Sequence, residues 1–288
     1  MPTLNYATKY SPIVDERFRL GSLTAGIVNE TYDWIGVETV VVYSRDLATL
    51  NNYSMSGTSR YGTPGDLGNA KQELTLSQDK AFTYIIDRKT AEDTVGTMEA
   101  AATLRENIDN VVIPSLDKYR ISRIISAVPT SGTFSETSHI VSGTVTKSNA
   151  YEEFLKVQEV IDNDKAPIGG RVCVVTPGFY NLLKLDNSFI KASDLGQRIL
   201  LNGQVGEVDG VAIVKVPASY MPEGVDFFIT NPVAAPSPVK IAEYKLHTDA
   251  PGISGTLVEA RFYYDCFVLN KKADAIGVHG TVGGVTGQ

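Results

Sequence analysis

Residues 170–214 constrain the fold of this chain more than any other stretch. They run G-R-V-C-V-V-T-P-G-F-Y-N-L-L, then D-N-S-F, then N-G-Q-V-G-E-V-D-G-V-A-I-V. Val172–Val175 is wholly apolar and rich in β-branched residues, so it reads as a buried strand. Thr176 offers a hydroxyl to cap a helix whose first position is Pro177, where a missing N–H costs nothing. Phe179, Leu182 and Leu183 supply the apolar stripe of that short helix. Gly203, Gly206 and Gly210 punctuate a turn region, and residues 211–216 return as a second strand.

The chain before this block alternates between regular and irregular pieces. Residues 1–35 have no sustained periodicity, yet carry Phe18, Leu20, Leu23, Ile27, Tyr32, Trp34 and Ile35; an arm this apolar is expected to lie against another surface. Residues 37–43 and 74–86 read as strands, the second on the alternation of Phe82, Tyr84 and Ile86 with Thr83 and Ile85. Between them, residues 51–70 hold Gly57, Gly62, Gly65, Gly68 and Pro64, which forbid a helix or a continuous strand. That linker is far longer than the usual hairpin loop of about 2–5 residues. A lone hairpin is marginal in water, so something outside it is required to hold it.

Residues 90–127 give the main helical signal. Thr90 is the expected cap with Asp93 three residues on, and Val95, Met98, Ala101, Ala102, Ile108, Val111 and Val112 form the expected stripe, bordered by Leu104. Acidic residues crowd its first part and Lys118, Arg120 and Arg123 its second, matching a helix dipole. Pro114 allows either a kinked helix or two consecutive ones. A second amphipathic helix covers residues 150–161, with Asn149 and Glu152 as the capping pair and Tyr151, Phe154, Leu155 and Ile161 inward. Further strands are expected at 225–230, 239–246 and 257–269, and the Gly-rich 280–288 reads as a disordered tail.

No chemistry stands out, and no catalytic, cofactor-binding or metal residue is assigned. His139, His247 and His279 lie in loop-like contexts without metal-ligand spacing and read as surface or interface residues. Residues 131–138 place serines near His139 but lack the G-x-S-x-G elbow. The 202–210 glycines match neither phosphate-binding pattern. The pairs Glu152/Glu153 and Glu92/Asp93 read as first-turn helix residues. Cys173 and Cys266 sit in apolar runs and read as small buried hydrophobes in a reducing compartment. A net charge of −7 argues against a dedicated nucleic-acid binder. No apolar run reaches the roughly 18–20 residues of a membrane helix, and the N-terminus has no signal pattern, so a chain made in a cytoplasm is expected.

The order of strand, T-P-capped helix, D-x-x-F, N-G-x-x-G-x-x-x-G and strand resembles the surface domain of tailed-bacteriophage major capsid proteins with the Hong Kong 97 fold. The likeness covers about residues 15–279. Residues 82–94 (F-T-Y-I-I-D-R-K-T-A-E-D-T) look like that family's passage from E-loop to spine helix, and 258–269 (V-E-A-R-F-Y-Y-D-C-F-V-L) like its closing peripheral sheet. The resemblance implies an α+β fold with an N-terminal arm (1–36), an E-loop hairpin (37–86), a peripheral domain (87–146 and 240–279) with the spine helix at 90–127, and an axial domain (147–239). It implies a non-enzymatic shell subunit without cofactors, forming pentamers and hexamers around double-stranded DNA held without sequence choice. Residence would be the virion, after assembly in the bacterial host cytoplasm. Many relatives begin with a long assembly-guiding helical region; none precedes the arm here, so a separate scaffolding protein is expected, besides a portal and a decoration protein. An encapsulin-like compartment subunit is the alternative, disfavoured by the long Gly-rich loop, with an unrecognised enzyme third.

Overall fold

The computed structural model describes residues 22–29, 39–93, 100–129, 138–192, 206–248 and 250–280. The 1–21, 131–137, 201–205 and 281–288 stretches of the expected arm, serine-rich segment, glycine region and tail lie outside the described residues. In chain order the elements are β1 (Thr39–Arg45), β2 (Asn69–Thr75), β3 (Gln78–Asp87), α1 (Arg88–Asp93), α2 (Ala100–Asn107), α3 (Ile113–Ser126), β4 (Ile140–Val141), α4 (Ala150–Asn163), β5 (Val172–Val175), α5 (Pro177–Leu185), α6 (Asn187–Ala192), β6 (Glu207–Val208), β7 (Val211–Lys215), β8 (Val225–Thr230), β9 (Val239–His247), β10 (Gly255–Tyr264) and β11 (Gly277–Gly280). Two compact units emerge, Trp34–Leu76 on one hand and Met1–Asp33 with Ser77–Gln288 on the other.

The smaller unit is a two-stranded ribbon. β1 and β2 pair antiparallel from Thr39↔Thr75 to Arg45↔Asn69, and the Asp46 N–H extends the ladder to the Gly68 carbonyl. The strand expected over 74–86 is therefore two strands, and the hairpin closes at Thr75 instead of Ile86. The interruption has a chemical cause: Ser77 gives both its N–H and its hydroxyl to the Asp265 carboxylate, each at 2.8 Å. β3 then joins a different sheet.

In the larger unit, β3, β10 and β9 form a three-stranded antiparallel sheet. Period-2 alternation sorts its two faces. Tyr84 pairs with Val258 and Phe82 with Ala260, and Phe82 stacks on Phe262 with ring centroids 6.2 Å apart. The Tyr84 hydroxyl donates to Thr103 Oγ1 on α2 at 3.0 Å, so the aromatic face lies beneath that helix. The opposite face is charged, with Arg261 forked onto Asp79 (3.0 and 2.6 Å). Beyond Tyr264, the expected strand gives way to an extended segment in which Asp265, Phe267 and Leu269 donate their N–H groups to the carbonyls of Pro238, Pro236 and Ala234. Pro236 and Pro238 have no N–H to return, so the ladder is one-sided and no strand forms.

The 90–127 helix starts earlier and is interrupted. It opens at Arg88, where Asp87 Oδ1 accepts the Lys89 N–H at 2.9 Å, so Thr90 is no cap and Glu92/Asp93 fall after the first turn. A π-helical turn at Ile108–Val112 joins α2 to α3, with the Ile113 N–H bonded to the Ile108 carbonyl. Pro114 at the start of α3 explains it: a proline lacks the helical N–H and its ring clashes with the carbonyl four residues back, which the wider turn relieves. The extra residue also rotates the following helix. Leu104 is buried while Ala101 and Ala102 are exposed, Ile108 is half-buried and Val111 is 57% exposed, so the described part of the expected stripe is not the inward face; Val95 and Met98 lie outside the described residues. In α3 that face is Ile121, Ile124 and Ile125.

A six-stranded mixed sheet, in the order β4-β11-β8-β5-β7-β6, separates two cores. Val174, Phe228 and Val278 point to the side of Ile121, Ile124, Ile125, Ile27 and Ile276. Cys173, Val175, Phe227 and Ile229 point to the side of Phe154, Val157 and Ile161 of α4 and Phe179 and Leu183 of α5. Burial on both faces is why Val172–Val175 is apolar at every position. Two strands of this sheet, β4 and β11, come from outside residues 147–239. β11 needs its glycine: a Cβ at Gly277 would sit 2.8 Å from Val157 Cγ1 on α4. The β6–β7 turn, Asp209-Gly210, takes positive φ at both residues (50° and 75°), the I′ geometry that suits a tight hairpin.

Thr176 caps α5 as expected, accepting the Phe179 N–H, with Pro177 in the first turn. Asn149 does not cap α4; its side-chain oxygen accepts instead from the N–H (2.6 Å) and hydroxyl (2.8 Å) of Thr146. On α4, Leu155 faces outward and Val157 takes its place inside.

Candidate functional site

Among the described residues, three buried polar centres and one exposed apolar row stand out against the hydrophobic packing. The first centre joins four distant segments around α3. Asp117, 1% exposed, accepts from Ser22 Oγ (2.8 Å) and Thr24 Oγ1 (2.6 Å) on one oxygen and from the Leu23 N–H (2.9 Å) on the other. One turn on, Arg120 donates to Ser237 Oγ at 2.9 Å and to Thr24 Oγ1 at 3.3 Å. Asp265, equally buried, takes the two Ser77 bonds on Oδ2 and the Tyr119 hydroxyl and Cys266 N–H on Oδ1, both at 2.7 Å. Burial, reinforced by that hydrogen bond to Asp265, pushes the Tyr119 hydroxyl up to about 12. Each carboxylate is fully occupied, which is what makes burying it tolerable. The arrangement pins residues 22–29 to α3, aided by reciprocal backbone bonds between Asn29 and Ala235 and Ser237.

Removing one member should show this. Asp117→Ala removes the acceptor of three donors, of which Thr24 Oγ1 is fully buried, at about 1–3 kcal/mol for a buried group left without its partner. We expect a lower melting temperature and proteolytic cleavage near residues 22–29 that the native chain resists. Unchanged melting and protection would mean that Asp117 does not hold this segment.

The other two centres are built on histidines. His139 and His279 are fully buried, which corrects their reading as surface residues; only His247 is half-exposed, beside Glu259 at 3.3 Å. His139 sits between the Ile276 carbonyl (Nδ1, 2.8 Å) and Asp164 Oδ2 (Nε2, 2.5 Å). The carbonyl and the carboxylate hold the ring from both ends. His279 stacks on Phe227 at 5.1 Å and lies between Asp226 Oδ2 (3.1 Å) and Glu153 Oε2 (3.4 Å). Their neighbours are long-range in sequence, so no local spacing could have shown this. Asp186 was visible in the sequence only as the first residue of D-x-x-F; it accepts from Tyr151 N–H (3.0 Å) and Ser188 N–H (2.8 Å), serving the first turns of α4 and α6 together.

Among the described residues, no group of three His, Cys, Asp or Glu side chains is placed to hold a metal ion, and no helix is long and apolar enough to cross a membrane. Cys173 and Cys266 are free thiols, both buried; burial pushes Cys266 up to about 12 and raises Cys173 well above its usual range. The Ser138 hydroxyl accepts the Ile140 N–H. The turn Asp209-Gly210 is a plain hairpin.

The exposed row belongs to the ribbon. Leu47 is 91% exposed, Met55 87% and Tyr61 83%, with Tyr43, Leu50 and Leu67 also open to solvent. The ribbon's tip has internal order despite this: Tyr53 and Tyr61 meet edge-on at 5.2 Å, and the Ser54 N–H bonds to the Arg60 carbonyl at 3.0 Å.

No family model matches the sequence, and no curated protein matches it. Solved structures do. A protein of Mycobacterium phage Che8 superposes with a TM-score of 0.76 at 16% identity, over 96% of this chain and 98% of its own. A chain from the capsid structure of cyanophage P-SCSP1u gives 0.73 at 15% identity, over 96% and 92%. A chain from the mature capsid of bacteriophage PhiM1 gives 0.73 at 12% identity, over 97% and 93%. Such agreement along nearly the whole length of both partners, at such low identity, is a likeness of fold. This chain has the α+β, Hong Kong 97-type fold of phage capsid subunits.

Proposed function

We propose that this chain is a major capsid protein, whose copies assemble as pentamers and hexamers into an icosahedral shell around double-stranded phage DNA. The observation that carries this reading is the fold shared end to end with chains of phage capsids. The exposed apolar row on the Trp34–Leu76 unit supports it, because a two-stranded ribbon with that much open apolar surface needs a cover, and neighbouring copies supply one. In these terms β1 and β2 with their connecting loop are the E-loop. The helical run through α2 and α3 is the spine, the β3-β10-β9 sheet belongs to the peripheral domain, and the six-stranded sheet with α4, α5 and α6 is the axial domain. The role is structural, without catalysis; the buried histidines and carboxylates hold segments together. A scaffolding protein and a portal complete the head, which forms in the host cytoplasm.

Size-exclusion chromatography and electron microscopy of the purified chain test this. A shell subunit gives pentamers, hexamers or megadalton particles; a small closed oligomer would count against it. DNA binding gives a second test. With a net charge of −7, the free subunit should retain duplex DNA weakly and lose it on modest addition of salt, since phosphate neutralisation by Lys and Arg dominates such affinity. Sequence-specific binding by isolated subunits at physiological salt would overturn the reading.

A further inference from the structure

Strand β9 (Val239–His247) is an edge of the β3-β10-β9 sheet, and among the described residues no strand lies beyond it. It is nine residues long, and residues 243–248 are exposed to solvent. Alternate residues of an antiparallel edge strand turn their N–H and C=O groups outward, so a long open edge is a template for another strand. Tyr244 and Leu246 leave apolar surface open on one face of β9. Glu243 and Lys245 stand on the other, 3.7 Å apart and each more than 60% exposed. Neither charge is therefore committed to a buried partner of its own chain.

The order of these side chains selects the partner. We propose that β9 pairs antiparallel with β9 of a second copy, about a two-fold axis through Tyr244, so that the two sheets become one of six strands. In that register Tyr244 faces its own counterpart, Glu243 of each copy faces Lys245 of the other, and the exposed Tyr244 and Leu246 of both copies gather on one face. A two-fold axis perpendicular to the sheet centres every register on one residue. Centring on Glu243 or on Lys245 would set like charges directly opposite each other, which is destabilising. A lysine on an edge strand ordinarily repels a second strand; the glutamate two positions before it turns that repulsion into a match in this register alone. The inference goes beyond the shell reading and does not need it. Within a shell, contacts around a ring run head to tail, so an isologous pair of this kind joins one ring to the next.

Charge reversal distinguishes this pairing from an effect within one chain. Glu243→Lys sets two bases opposite two bases across the pair, and Lys245→Glu sets acids opposite acids. Each variant alone should lower the associated fraction seen in sedimentation by about tenfold or more, because two like-charge oppositions replace two matches. Both positions are exposed, so each subunit should melt within a few degrees of the unmodified chain. Neither variant keeps the contact between residues 243 and 245 within the chain. Co-expressed, the two should nevertheless recover association, in complexes that contain both, because the basic pair of one copy then faces the acidic pair of the other. Tyr244→Cys should give a disulfide-linked dimer on mild oxidation, the two native thiols being buried. His247→Cys, whose counterpart would lie six residues along the paired strand at about 20 Å, should give at least roughly tenfold less. Normal association of the single variants, no recovery on co-expression, or equal cross-linking from His247→Cys overturns the pairing and leaves the shell reading intact. Cross-linking of Tyr244→Cys in a chain that forms no rings or particles would instead overturn the shell reading and leave the pairing standing.

Discussion

Replacing residues 47–67 with a short Gly/Ser turn should abolish particle formation and leave the isolated subunit's melting nearly unchanged. Residues 47–67 lie within the compact unit Trp34–Leu76, and Leu47, Leu50, Met55, Tyr61 and Leu67 stand open to solvent in the subunit. Side chains that bury little contribute little to folding, so their loss costs the subunit little. Against a neighbour the balance reverses. Fully covering a side chain of this size is worth about 1.5–3 kcal/mol, so five of them supply on the order of 10 kcal/mol per contact before ordering costs. Losing that term at every position of a closed lattice leaves nothing to drive closure. The replacement stops short of Asn69, because β2 begins there and cutting into it would damage the ribbon itself. Circular dichroism and melting of the shortened subunit, with electron micrographs of its assembly, give the result. Normal heads would show that the loop is not an intersubunit element, and an unfolded subunit would show that it is an intrasubunit one.

What the sequence disclosed follows the range of the forces involved. Val172–Val175 and the Thr176-Pro177 cap were legible because burial on both faces and helix capping are written in adjacent residues. The alternation of β3 was legible for the same reason, but its partner was not. Whether residues 78–87 return along β1 or join β10 depends on Ser77 meeting Asp265, a contact spanning 188 positions. Asn149 looked like a cap because the motif is local, yet the Thr146 side chain and N–H capture its oxygen first. The buried histidines were misread because His139 and His279 owe their burial to strands β4 and β11, two and four residues long, too short to leave a periodic trace. Asp117 and Arg120 gave no sign at all: on a helix, an acid and a base three residues apart look like surface residues, and their partners are 93 to 117 positions away.

The same distinction sets the expected outcome for α3. Ile108 belongs to a stripe that a uniform helical period would place inward, but the π turn at Ile108–Val112 leaves it half-buried. Ile124, one of three isoleucines on the buried face of α3, is fully buried among Val174, Phe228 and Ile276. Ile124→Asp therefore loses about 2–5 kcal/mol of apolar packing. It also places a carboxylate where no donor reaches it, at a further cost of several kcal/mol. Together these approach the roughly 5–15 kcal/mol that holds a typical domain folded. Ile108→Asp gives up only part of an isoleucine's burial and leaves its carboxylate in reach of water. Ile124→Asp should thus be insoluble or unfolded, while Ile108→Asp should stay soluble and melt cooperatively, within several degrees of the unmodified subunit. Soluble yield and thermal denaturation of the two variants, made side by side, measure the contrast. The reverse order would put the inward face of the helix on the Ile108 side and refute the rotation at the π turn. Equal damage from both would mean that the turn is straightened in solution and the helix buries one continuous stripe.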